Sequence, residues 1–246
     1  MFYLEPSCPD IATSLPDIAT FLAADEALLV GLETHGSGEE LLYVWEPPNF
    51  AVIVGSGTRL DHEVKLNFCQ ALKIPIFRRI SGGSSVVIGP GCLIYSLFLN
   101  RACRPGLTSP LEAHRFVLTQ IEKALQSSVP DVEFCPPSDL AYCGRKFSGN
   151  SIRIKRKYLL YHGTILYRFP LEIVSLLLKE PPRQPEWRKK RSHKDFIINI
   201  PLSKDQLISL LRHAWQAHTP WTKLDWAQIS DLVRTRYSNA LWNERL

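Results

Sequence analysis

The chain has 246 residues, 45% of them apolar and 22% charged, with a formal net charge of +5. That balance excludes a disordered or low-complexity chain and suits one large α/β-type domain with a substantial core. Met1 to Pro9 lacks the basic and apolar segments of a signal peptide. The uncharged stretch Ile80 to Asn100 is broken by five glycines or prolines before Leu93, so no membrane span is expected. Six cysteines (8, 69, 92, 103, 135, 143) form no CxxC pair and no His/Cys ligand spacing. They point to reduced thiols in a cytoplasmic protein, with no disulfide framework and no metal site.

Leu15 to Leu32 carries apolar residues at helical spacing, with Asp25 and Glu26 read as the wet side. Leu41 to Trp45 and Ala51 to Val54 are short β-rich runs around Pro47, Pro48 and Asn49, which predicts a hairpin. Glu63 to Leu72 returns to helical period. Ile74 to Arg79 and Ser85 to Leu99 read as strands on either side of Ser81-Gly82-Gly83-Ser84, and Leu111 to Ser127 is an amphipathic helix. A second hairpin-like pair, Asp139 to Arg145 and Lys157 to Leu166, precedes a helix at Leu171 to Lys179 and a Pro-rich loop from Glu180 to Pro185. The pattern turns helical again from Lys204 to about Leu211 and from Asp225 to Tyr237. Strands and helices mix without βαβ alternation. This predicts an α+β fold of mostly antiparallel sheets flanked by helices, in one domain over residues 1–246 with a helical tail from about residue 204.

Three segments carry chemistry. In Arg78-Arg79-Ile80-Ser81-Gly82-Gly83-Ser84-Ser85, two arginines end a strand and a glycine turn follows. Glycines let backbone N–H groups approach an anion, and arginine forks a phosphate or carboxylate, although a plain tight turn has the same composition. In Gly144-Arg145-Lys146-Phe147-Ser148-Gly149-Asn150, a lysine beside a glycine turn is suited to holding a phosphate or polarising an acyl carbonyl. A solvated hairpin lysine is the plainer reading. His162-Gly163-Thr164 closes an apolar run from Tyr158, where a lone histidine is more often a satisfied core or rim residue than a catalyst.

In this order, with Asp25-Glu26-Ala27-Leu28-Leu29 and with Trp45 followed by Val52-Ile53-Val54-Gly55, these segments resemble the lipoate–protein ligases from roughly Phe21 to Ile200. The resemblance implies the antiparallel-rich catalytic fold shared with biotin ligases. It also implies an activity that joins lipoate or octanoate to a lysine of an acceptor lipoyl domain, through an acyl-adenylate made from ATP and Mg²⁺. By position, Lys146 is the implied catalytic lysine, and Asp139 the acidic residue of the Mg-adenylate region. Arg78, Arg79, Ser81, Gly82, Gly83, Ser84 and Val86 fall on the implied acyl-binding loop. Gly144, Ser148, Gly149, His162, Gly163 and Thr164 fall on the other walls of the same cavity. Val86, Val87, Ile88 and Leu93 have the branched character that a tunnel for an eight-carbon chain needs.

The pattern departs from the family at Ser84, where a third glycine is common, and at Ile88-Gly89-Pro90-Gly91, which replaces His-Asp-x-Gly. The sequence ends at Leu246 without the separate accessory domain of longer ligases, which leaves open a need for an accessory subunit. A second reading is therefore an ATP-independent octanoyl or lipoyl transferase, with Cys135 as thioester nucleophile. A third is a basic binding module or a non-catalytic family member. No helix-turn-helix or aromatic platform supports nucleic-acid binding, and the run Arg188 to Lys194 is expected to meet an acidic acceptor surface.

Overall fold

The computed structural model describes residues 1–5, 17–104 and 106–246, so Cys8 and the expected helix start at Leu15 lie outside the described residues. The chain begins with β1 (Phe2–Leu4), α1 (Ile18–His35), β2 (Leu41–Trp45) and β3 (Ala51–Val54). Two short helices, α2 (Leu60–Glu63) and α3 (Leu66–Ala71), lead to β4 (Ile76–Arg78). Beyond the glycine loop come β5 (Val86–Ile88), β6 (Cys92–Asn100) and α4 (Pro110–Gln126). A meander of β7 (Val132–Cys135), β8 (Asp139–Tyr142), β9 (Arg145–Ile154) and β10 (Tyr158–Leu166) follows. The remainder is α5 (Glu172–Leu177), α6 (His193–Phe196), α7 (Lys204–Ala214), β11 (Thr219–Pro220), α8 (Trp226–Leu232), a π-helical turn and α9 (Ala240–Asn243).

An eight-stranded sheet runs in the order β11-β1-β2-β6-β10-β9-β8-β7, and a three-stranded sheet in the order β4-β3-β5. In the large sheet β1 pairs in parallel with β2 and β11, and the remaining pairs are antiparallel. The α+β class expected from the sequence is therefore the observed one. β6 is buried along its whole length and β10 nearly so, because both faces of the sheet are covered. One face, carrying Tyr43, Trp45, Ile94, Phe98 and Leu160, packs with α1 and the small sheet. The other, carrying Val44, Leu93, Tyr95, Leu97 and Tyr161, packs with α4 and α7. Asp17 caps α1 by accepting from the Thr20 N–H, and reciprocal capping boxes start α4 (Ser109 and Glu112) and α7 (Ser203 and Gln206).

Four sequence expectations need correction. β2 and β3 have the predicted bounds but are no hairpin: β2 joins β1 and β6 in the large sheet, and β3 joins β4 and β5 in the small one. The long strand expected from Ser85 is split at Gly89-Pro90-Gly91 into β5 and β6, which lie in different sheets. The pair expected at 139–145 and 157–166 is three strands, β9 occupying the basic segment between them. Asp25 is not on a wet face but 3% exposed, and Glu26 binds Arg236 and the Tyr237 hydroxyl. Among the described residues, no helix is long and apolar enough to cross a membrane.

Candidate active site

A cavity of about 420 Å³ lies between the two sheets, on the α1 face of the large one. Its floor is one cross-strand row: Gly149 on β9 opposes Thr164 on β10, which opposes Ile94 on β6, which opposes Trp45 on β2, and all four line the cavity. Neighbouring strands lie about 4.8 Å apart, so this row spans about 14 Å across the sheet. Leu22 on α1 and Ile53, Val86 and Ile88 on the small sheet line the same space from the opposite side. Leu93, expected among these, faces the opposite core.

Lys146 stands at the other end. A register shift between Leu140 and Ala141 places it opposite Ala141, and its carbonyl accepts from the Ile198 N–H at 2.9 Å. Its ammonium lies 2.6 Å from Asp139 Oδ1, the carboxylate being nearly buried and the lysine side chain 28% exposed. Gly149, across from Asp139, leaves room for this pair; a Cβ there would sit 2.8 Å from the Lys146 Nζ. A smaller cavity of about 150 Å³ adjoins this end, shares Asp139, Lys146 and Gly149, and adds Ser148, Glu63, Arg188 and His193.

The glycine loop is braced from within. The Arg79 guanidinium donates to the carbonyls of Ile53 (3.2 Å), Gly82 and Ser84 (3.0 Å), and its Nε also donates to Ser81 Oγ (3.1 Å). Burial pushes its pKa down to about 10, partly offset by Glu63, so it stays a cation at neutral pH. The arginine's donors thus organise the loop instead of forking a ligand. Gly55 permits the loop to close over the small sheet, since a Cβ there would lie 2.0 Å from the Gly83 carbonyl oxygen. Gly83 has φ +85°, the left-handed region.

Ser81 Oγ lies 2.6 Å from His162 Nε2, and His162 Nδ1 lies 3.0 Å from Asp25 Oδ2. The Asp25 carboxylate only accepts, so Nδ1 carries the proton that faces it; in the neutral imidazole Nε2 then accepts from the Ser81 hydroxyl, whose oxygen accepts from Arg79. The row has the membership of a hydrolytic triad, but Ser81 is fully buried and its oxygen is already engaged by arginine, so it is built to hold the loop and not to attack.

The expected site residues divide accordingly. Arg79, Gly83, Ser84, Val86, Asp139, Lys146, Gly149, His162, Gly163 and Thr164 line the larger cavity, and Ser148 lines only the smaller. Ser81 and Gly82 line neither cavity: Ser81 is buried at the base of the loop, and Gly82 is exposed on it. Gly144, at φ +66°, forms the β8–β9 turn, where its carbonyl accepts from Arg191. Arg78 points away from the cavity: it donates to the carbonyls of Gly55, Thr58, Trp242 and Asn243 and ties the C-terminal segment to β4. Cys135, at the end of β7, lines neither cavity, and burial with nearby Glu133 and Asp139 pushes its thiol up to about 12. In the basic run, Arg188 is buried against Glu180 and Phe196, and Arg191 donates to backbone carbonyls, leaving Lys189, Lys190 and Lys194 exposed.

Sequence reasoning missed Asp25 as a cavity residue, and it missed Arg183 and Gln184, which bring the Pro-rich loop to the cavity. A polar residue inside an otherwise apolar helix was the available signal for the first; the loop carried none.

Comparison with known proteins identifies the family. Residues 17–209 match the lipoyl protein ligase A/B catalytic domain. The chain is 31% identical over 157 residues to the "Probable lipoate-protein ligase A" of Mycoplasma pneumoniae, covering 64% of this chain and 45% of that one. It is 26% identical over 255 residues to an octanoyltransferase of Oceanobacillus iheyensis, covering 90% and 91%. The chain thus spans about half the length of the Mycoplasma relative. Its fold is that of the bipartite lipoate protein ligase of Thermoplasma acidophilum, solved in a study that includes its E2 lipoyl domain (TM-score 0.79, 20% identity, 99% and 94% covered). A lipoate–protein ligase A bound with ATP has the same fold (TM-score 0.71, 19% identity, 99% and 97% covered). The chain belongs to the lipoyl protein ligase A/B catalytic-domain family.

Proposed function

We propose that the protein is an ATP-dependent ligase that attaches lipoate or octanoate to a lysine of an acceptor lipoyl domain. The observation that carries this reading is the Lys146 ammonium at one end of a cavity whose floor runs about 14 Å across the sheet, a length suited to an extended eight-carbon acid. The acid's carboxylate attacks the α-phosphorus of ATP, pyrophosphate leaves, and the acyl group is carried as its mixed anhydride with AMP. The acceptor ε-amine then attacks the carbonyl carbon, forming the amide and releasing AMP. Lys146 lowers the repulsion between the two anions in the first step and polarises the carbonyl in the second. Asp139 holds the ammonium in place, and Arg183, exposed beside both cavities, is placed to pair with phosphate oxygens. Magnesium bound through the phosphates would supply further charge neutralisation; one carboxylate plus phosphates suits that ion, and Asp139 would provide it.

A second reading, ATP-independent acyl transfer through a cysteine thioester, is favoured by the near end-to-end match to the octanoyltransferase. Against it, no cysteine is among the described residues lining either cavity, and the buried Cys135 resists ionisation. The test is a mass shift on an apo lipoyl domain incubated with the protein, lipoate and Mg-ATP. One added lipoyl group that requires ATP and is lost, by about 100-fold or more in rate, in Lys146→Ala but kept in Cys135→Ser is expected. Transfer from a pre-acylated carrier without ATP, abolished in Cys135→Ser, would overturn the ligase reading.

A further inference from the structure

The segment that carries Lys146 ends at Asn150, which lines the larger cavity but has no part in the chemistry assigned above. It belongs to the row beside the floor: Asn150 on β9 opposes Gly163 on β10, which opposes Tyr95 on β6. Both amide hydrogens of Asn150 are engaged, one by the Ser138 carbonyl at 2.9 Å and one by Ser148 Oγ at 3.2 Å, and its Oδ1 accepts from the Tyr95 hydroxyl. A carbonyl only accepts, so the amide must turn its NH₂ toward Ser138. The backbone N–H of Asn150 donates to the same carbonyl at 3.1 Å. Tyr95 is fully buried in the core on the α4 side. The side chain has its place because residue 163 is glycine: a Cβ there would lie 1.8 Å from Asn150 Oδ1.

We propose that Asn150 is a positioning residue: through the Ser138 carbonyl it sets the Asp139 carboxylate, and through that carboxylate the Lys146 ammonium. Its place in the reaction rests on Lys146 carrying the ligase chemistry proposed above. The Ser138 carbonyl and the Asp139 N–H belong to one rigid peptide unit, so two donors on that oxygen fix the direction in which the Asp139 backbone continues. Asp139 opposes Gly149 and holds Lys146 Nζ at 2.6 Å. Lysine is a point charge on a flexible four-carbon stem, so the direction of this ammonium follows its carboxylate. An error in the carboxylate is passed on to the ammonium, and a misplacement of about 1 Å at a reacting group costs about 100-fold in rate. The contacts run from the core to the cavity in one line, from Tyr95 to Asn150, Ser138, Asp139 and Lys146.

The test measures steady-state lipoylation of an apo lipoyl domain with lipoate and Mg-ATP, alongside Tm. Asn150→Ala is expected to lower kcat by about 10–100-fold, with each KM changed by less than about 3-fold. Its Tm should also fall, because the buried Tyr95 hydroxyl loses its acceptor. Adding Tyr95→Phe removes both partners, so the double variant should recover much of the Tm while kcat stays low. A kcat that recovers together with Tm, or an unchanged kcat in Asn150→Ala, would overturn the positioning role. The placement of Lys146 is read without any turnover by acetylation with acetic anhydride and peptide mass spectrometry. Asn150→Ala should raise the Lys146 rate by about 3-fold or more as its ion pair loosens, with the exposed Lys189 and Lys190 unchanged as references. If the unaltered protein does not lipoylate with ATP, the ligase reading fails, and the acetylation ratio alone decides whether Asn150 sets Lys146. Where Asn150→Ala does not fold, the double variant carries both measurements.

Discussion

At the scale of single residues, charge at this site is handled by enclosure. Lys146 meets Asp139, Arg79 meets backbone carbonyls, and His162 stands between Ser81 and Asp25. The cysteines show the opposite treatment. Cys103 and Cys143 are exposed, whereas Cys135 is buried with its thiol raised from an ordinary 9.0 to about 12. A group raised in the fold contributes stability that is complete below its unfolded value and is lost as pH rises toward the folded one, so Cys135 should favour folding up to about pH 9 and cease to do so near 12. Alkylation with iodoacetamide at pH 8, read by peptide mass spectrometry, should modify Cys103 and Cys143 and spare Cys135. Labelling of native Cys135 at that pH would restore it as a nucleophile. Lys146 and the glycines were legible in the sequence because few residue types serve a turn or a fixed cation. Asp25 was not, since a carboxylate in a helix ordinarily means solvent, and only the opposing histidine shows otherwise.

At the scale of elements, local signals were legible where the cause is local. The helix α4 was readable from its apolar period, and its start has a chemical stop in the Ser109–Glu112 capping box. Ser109→Ala should cost about 1 kcal/mol, measured by urea denaturation, because the Glu112 N–H loses its acceptor. β6 and β10 were readable as apolar runs, since both of their faces are covered. Pairing was not readable: β2 and β3 are adjacent in sequence yet belong to different sheets, and nothing in Pro47-Pro48-Asn49 distinguishes a hairpin from a crossing between layers. β9 escaped for a functional reason. On the face that floors the cavity it carries Gly149 and Ser151, where a buried strand would carry Val or Ile.

At the scale of the whole molecule, the C-terminal segment is held onto the small sheet by Arg78, whose fully buried guanidinium joins the Gly55–Thr58 turn to Trp242 and Asn243. Arg78→Ala should lower stability by about 3 kcal/mol, since several buried carbonyls lose their donor. In a chain of this size that is a fall of about 6–12 °C in Tm, read by calorimetry, with acyl binding retained at temperatures where the variant is folded. The cavity floor crosses strands instead of following one, and this has an evolutionary consequence. Its reach is counted in whole strands, each step being about 4.8 Å and worth several methylene groups. Substitutions at Trp45, which ends the row, can trim or deepen the last step. A markedly longer chain would need the row to continue onto another strand, so the length of acyl group this fold accepts is set by sheet order and is slow to drift.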